Sequence, residues 1–198
     1  MADAYNGEDE EPLDLEDYPT LVAAARFIKS VPSLVWLHNL GAPFDGDLLD
    51  DAHAYLVALG FPDATIAAVA DWEDAAYAIA NPDWNSEWWE VEEQIRAGLT
   101  AAAIETVGEE DLAAAMAHLN EAMAESIPEL VRVSAAYGGV SDEDVVMAAT
   151  GAVTQTCHLA ALVVLAAEEE GHPMALKFRL FEAGRWPLGV IGNTFHLF

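Results

Sequence analysis

From Val145 to Ala167 the chain runs VVMAATGAVTQTCHLAALVVLAA, without a formal charge. As a helix this run is about 35 Å long at roughly 1.5 Å per residue. It is apolar around most of its circumference, so it must be covered on most sides, by lipid or by protein. Its length reaches the membrane-spanning range. Thr150, Thr154, Gln155, Thr156 and His158 near the centre argue against hydrocarbon, and the flanks lack the Lys and Arg that orient a span. The expectation is therefore a buried central helix over 142–168, wrapped by the rest of a single domain.

The chain has the material for such a wrapping. Its 198 residues suit one domain, and 54% of them are apolar. Leu21, Ala24, Ala25 and Ile28 recur at helical spacing. Pro32 then restarts the chain into a helical segment from Ser33 to Leu40, stopped by Gly41. Asp47 can cap a helix carrying Leu49, Ala52, Leu56 and Leu59, with Gly60 just past its end. Asp63 can cap another with a Val69, Trp72, Ala76 and Ile79 stripe. Asn81-Pro82 offers a further start, for a helix with Trp84, Trp88, Val91, Ile95 and Leu99 on one face. Leu112, Met116, Leu119 and Met123 form the next stripe. A short helix runs from Ser126-Ile127-Pro128-Glu129 to Gly138-Gly139, and Ser141 to Asp144 has the form of a helix start.

Near the C-terminus the period changes. Leu176, Phe178 and Leu180 alternate with Lys177, Arg179 and Phe181, and Ala183-Gly184 and Gly192-Asn193 are turn signals. Segments 175–182, 186–191 and 194–198 thus predict an antiparallel β meander. The expected fold is mainly α: a bundle of about seven or eight helices around the buried helix, with that small sheet at the end (α+β). The domain spans 18–198, and residues 1–17 read as a disordered acidic tail.

Charge limits the partners. The sequence holds 35 Asp and Glu against 7 Lys and Arg, net −28, and eight of the acids lie ahead of Tyr18. From Tyr18 onward 27 acids still face 7 bases, or −20, so the excess is global. Counterion release on nucleic acid needs basic residues, which excludes nucleic acid as the expected partner. Anionic membranes are disfavoured for the same reason. Two uses of the acidity remain: solvation, suited to a saline cytoplasm, and an acidic face that steers a basic protein partner. One cysteine excludes an internal disulfide framework, and no signal-peptide pattern opens the chain, so a cytoplasmic location is expected.

Few residues offer chemistry. Trp89 falls off the Trp84–Leu99 stripe beside Glu92, Glu93 and Arg96. Trp89, Glu92 and Glu93 are thus candidate partner-binding residues, since exposed aromatics anchor interfaces. Thr150, Gly151, Thr154, Gln155, Cys157 and His158 occupy an arc of roughly 160° on the central helix at about 100° per residue. A polar seam there either bonds within the protein or lines a pocket, which makes Thr150, Thr154, Gln155 and His158 pocket candidates. Adjacent Cys157 and His158 diverge around the helix and make no dyad. His118 with Glu121 and Glu125, and Glu169 with His172, are weak metal patterns, and His118 reads as a solvated histidine. No cofactor or metal is expected, and none of the phosphate, dinucleotide or nucleophile-elbow motifs occurs. The lysine and arginines of the C-terminal segment, Lys177, Arg179 and Arg185, are expected to pair with the protein's own acids. The sequence supports a non-enzymatic interaction protein, an adaptor or inhibitor of a basic partner. The alternative is an enzyme or small-molecule binder using the seam. An open sheet edge would also admit a homodimer.

Overall fold

The computed structural model describes residues 18–80 and 86–198. The expectations for the tail over residues 1–17, for the Asn81-Pro82 start and for Trp84 lie outside them. Eight α-helices occur among the described residues: α1 (Pro19–Ser30), α2 (Gly46–Leu59), α3 (Trp72–Ala80), α4 (Glu87–Val107), α5 (Glu109–Ala124), α6 (Ser126–Tyr137), α7 (Glu143–Leu165) and α8 (Pro173–Glu182). Three short strands accompany them: β1 (Thr65–Ala68), β2 (Pro187–Ile191) and β3 (Thr194–Leu197). The fold is mainly α with a small sheet, as the sequence predicts.

The charge-free run forms most of α7. Asp142 caps it by accepting a hydrogen bond from the Asp144 amide at 2.9 Å, and Glu143 and Asp144 complement the positive end of the helix dipole. By length and composition α7 could cross a membrane. In this fold α1, α3, α4, α5, α6 and α8 pack around it instead. Its N-terminal half, with Val146, Ala149 and Val153, enters one apolar cluster with Trp36, Ile127, Phe181 and Phe198. Its C-terminal half, with Leu159, Leu162 and Leu165, enters a second with Tyr55, Leu56, Met174 and Phe195.

Helix α8 corrects the predicted strand over 175–182. His172 caps it, its ring Nδ1 accepting from the Met174 amide at 3.1 Å, and Pro173 occupies the first turn. Phe178 and Phe181 enter the first apolar cluster, while Met174, Leu176 and Leu180 enter the second. A helix sandwiched between two cores loses its polar face, and its sequence then mimics alternation. The residues 186–191 and 194–198 do form an antiparallel hairpin, β2 with β3. Its third strand comes from β1, which pairs parallel to β3 from Thr65 opposite Thr194 to Ala68 opposite Leu197.

The helix expected from Asp63 therefore starts later. Asp71 is the cap of α3, with Oδ1 accepting from the amides of Glu73 and Asp74, both at 3.0 Å. Likewise Asp45, not Asp47, caps α2, accepting from the Leu48 amide at 2.9 Å. Gly60 ends α2 in the left-handed region, as expected. The segment 33–40 is not a helix: a 3-10 turn at Val31–Ser33 leads into turns that bury Trp36 and Leu37. Of the C-terminal cations, Lys177 pairs with Glu92 and Arg179 with Glu170. Arg185 forms no ion pair among the described residues. It donates to the carbonyls of Ala42 and Pro43 at 2.7 and 2.8 Å and lies against the Phe44 ring.

Candidate functional site

Ser86 starts α4 by accepting a hydrogen bond from the Trp89 amide at 3.3 Å. From that start the helix sorts its residues into two faces. Trp88, Ile95 and Leu99 turn to the core. Trp89, Glu93, Arg96 and Thr100, at offsets of four, seven and eleven, line a cleft. The opposite wall is α7, with Gln155, His158, Leu159 and Leu162, and α5 adds Met116. The cleft encloses about 660 Å³. It gathers Trp89 and Glu93 from the interface candidates and Gln155 and His158 from the pocket candidates, two sets that the sequence keeps apart.

The polar groups are set by their neighbours. Arg96 grips Glu93 with both Nε, at 3.1 Å, and Nη2. This holds the Glu93 carboxyl below its ordinary value and raises the Arg96 guanidinium, so the pair carries no net charge. His158 Nε2 lies 2.7 Å from Asn120 Oδ1. An amide oxygen only accepts, so with this amide orientation Nε2 donates and the neutral ring keeps Nδ1 as an acceptor. Burial pushes the His158 pKa down, which favours that neutral form.

Glu92 overturns its assignment as a partner-facing residue. It is buried, and its carboxylate accepts from Lys177 Nζ at 2.6 and 2.9 Å and from the Tyr55 hydroxyl. The ammonium also stands 5.2 Å from the centre of the Trp88 ring. Burial, then the Glu92 charge, raises the Tyr55 pKa well above its usual value, so the phenol stays a donor. The cluster ties α2, α4 and α8 together. Its signal was present in the sequence: Trp88, Glu92, Ile95 and Leu99 share one helical face. What the sequence could not show was the cation that meets it.

The rest of the seam divides. Thr150 donates to the Val146 carbonyl at 2.8 Å and lies in a separate recess between α6 and α7. Thr154 is half-buried and is not among the residues lining the α4–α7 cleft. Cys157 is buried, and burial followed by the charge of Glu182 pushes its thiol up to about 12, so it is an unreactive core residue. Among the described residues no group of three or more His, Cys, Asp and Glu is arranged to hold a metal.

Compared with protein-family models, with curated proteins and with solved structures, the chain matches none. Its class rests on its own geometry: a mainly-α bundle with an amphipathic cleft between α4, α5 and α7.

Proposed function

We propose that the chain is a non-enzymatic binding protein that takes a small amphipathic molecule in the α4–α5–α7 cleft. One observation carries this reading. Trp89, Gln155 and His158 converge on a single cleft of about 660 Å³, between helices of a bundle. Small-molecule sites occupy such places and measure about 300–1,000 Å³. The apolar body of the ligand lies against Trp89, Met116, Leu159 and Leu162. Its polar end meets the Gln155 amide, which both donates and accepts, and the acceptor nitrogen of His158. Glu93 and Arg96 cancel, and the protein's overall −28 repels anions, so the ligand is neutral or cationic. Among the residues lining the cleft no nucleophile stands beside a base, which favours binding over catalysis.

A fragment screen by amide and indole NMR shifts tests this. Neutral or cationic aromatic fragments should shift Trp89 and Gln155 together, and Trp89→Ala or Gln155→Ala should weaken them at least tenfold. Fragments that bind both variants as well as the parent would place binding elsewhere and end the proposal.

The acidity supports a second reading, a basic protein partner. Trp89 and Glu93 remain its contact residues at the cleft mouth, while Glu92 drops out. A second copy of the chain, the other partner, would use a sheet edge, of which β1 carries more exposed residues than β2.

A further inference from the structure

The α4–α5–α7 cleft does not end at Trp89 and Gln155. Between α4 and α7 it continues into an inner recess lined by Trp89, Glu92, Glu93, Arg96, Gln155 and Leu159. Five of these six also line the cleft, and Glu92 is the addition. The recess offers about 10 Å³, the threshold for holding one water-sized group. The buried Tyr55–Glu92–Lys177 cluster thus borders the cleft through Glu92, whose side chain keeps 10% of its surface exposed.

A carboxylate offers about four acceptor positions, two on each oxygen. Glu92 Oε1 accepts from the Tyr55 hydroxyl and from Lys177 Nζ, which fills it. Oε2 accepts from Lys177 Nζ alone, at 2.9 Å, so one position stays open among the described residues. The recess also holds donors. Arg96 uses Nε and Nη2 on Glu93, which leaves its Nη1 uncommitted among the described residues. The Gln155 amide, exposed on α7, makes no hydrogen bond among them.

The charges cancel in pairs, Glu92 with Lys177 and Glu93 with Arg96. An ammonium entering the recess brings only donors, and it meets the Arg96 guanidinium with no carboxylate left unbalanced. A carboxylate brings only acceptors to a recess that presents Glu92. A hydroxyl group is water-sized, carries no charge, and both donates and accepts.

We propose that the recess is a hydroxyl subsite, so that the ligand of the cleft is a neutral molecule whose apolar body ends in a hydroxyl group. The hydroxyl donates to Glu92 Oε2 and accepts from Arg96 or Gln155. Lys177 and Tyr55 are positioning residues that hold the Glu92 carboxylate in place. This narrows the ligand from neutral or cationic to neutral, and it rests on the α4–α5–α7 cleft being a binding site.

The test is an NMR titration of the full chain with three matched probes: phenylpropanol, its methyl ether and phenylpropylamine. At about 1 M KCl the screening length is about 3 Å, so the net charge of the protein does not favour the amine. The Trp89 indole and Gln155 amide should report a Kd for the alcohol about tenfold below those of the ether and the amine, the scale of a hydrogen bond to a charged acceptor. Combined Tyr55→Phe, Glu92→Met and Lys177→Met makes the recess floor apolar without leaving a buried charge unpaired. There the alcohol should lose its advantage while the ether binds as it does to the parent. Should that variant not fold, the ratio measured on the parent still decides. An ether or amine that binds the parent within about twofold of the alcohol would overturn the subsite and leave the cleft standing as a binding site. So would an alcohol preference that survives in the triple variant. Shifts at neither Trp89 nor Gln155 with any of the probes would remove the cleft as a binding site, and the subsite with it.

Discussion

Replacing Lys177 by Met removes the ammonium that gives Glu92 two hydrogen bonds, at 2.6 and 2.9 Å. Met matches the length of the lysine stem, so the packing against Trp88 and the two cores is largely kept. What remains is a buried carboxylate with the Tyr55 hydroxyl as its donor. Removing one partner of a buried pair costs about 3–5 kcal/mol. For a chain of this size each kcal/mol lowers the midpoint by about 2–4 °C, so the expected fall is about 6–20 °C. Urea unfolding is the suitable equilibrium assay, because the ions of guanidinium would screen the charge under study. The control is Tyr55→Phe, Glu92→Met and Lys177→Met together, which removes every polar member of the cluster. It should recover most of the loss, since well-packed apolar replacements of buried pairs are neutral or stabilising. A cost below about 1 kcal/mol for Lys177→Met would class the pair with solvated surface pairs. That result would refute the buried cluster and return Glu92 to the partner-facing residues.

Gly189→Ala should destabilise by about 1–3 kcal/mol in urea, because Gly189 has φ 117° and a Cβ there would lie 2.9 Å from the Trp88 ring; an unchanged midpoint would mean that the ring yields freely. Raising KCl from about 0.05 to 2 M, where the screening length falls below about 3 Å, should raise the melting midpoint substantially if the −28 limits the fold; a flat response would assign the acidity to recognition. His172 must be unprotonated at Nδ1 to cap α8, and burial lowers its pKa below the unfolded value. Its stabilisation is therefore complete above about pH 6.5 and is lost as pH falls through the depressed value. His172→Asn should remove that part of the acid-side loss in a pH series of urea midpoints, and an unchanged slope would deny the cap its role.

What the sequence determined by itself is what acts within a turn or two of helix. The uncharged run from Val145 to Ala167 demands a covered helix whatever covers it, and the structure wraps α7 in six others. Gly60 closes α2 and Gly192 turns the last hairpin because only a residue without a side chain takes those φ values cheaply. Of the stripe Leu112, Met116, Leu119 and Met123, three members are buried as the spacing requires, while Met116 is half-buried and lines the cleft. Only the tertiary structure decided the rest. β1 becomes a strand because β3, from the far end of the chain, completes its hydrogen bonds. The segment 173–182 becomes a helix because two apolar clusters claim opposite sides of it, which erases the period that announces a helix. Glu92 is a core residue because Lys177, 85 positions away, neutralises it. The cleft exists because α4 and α7 leave a gap between residues that no local spacing relates. Periodicity and caps carry information only between near neighbours in the chain; pairing and burial between distant segments are settled when the closed chain brings the partners together.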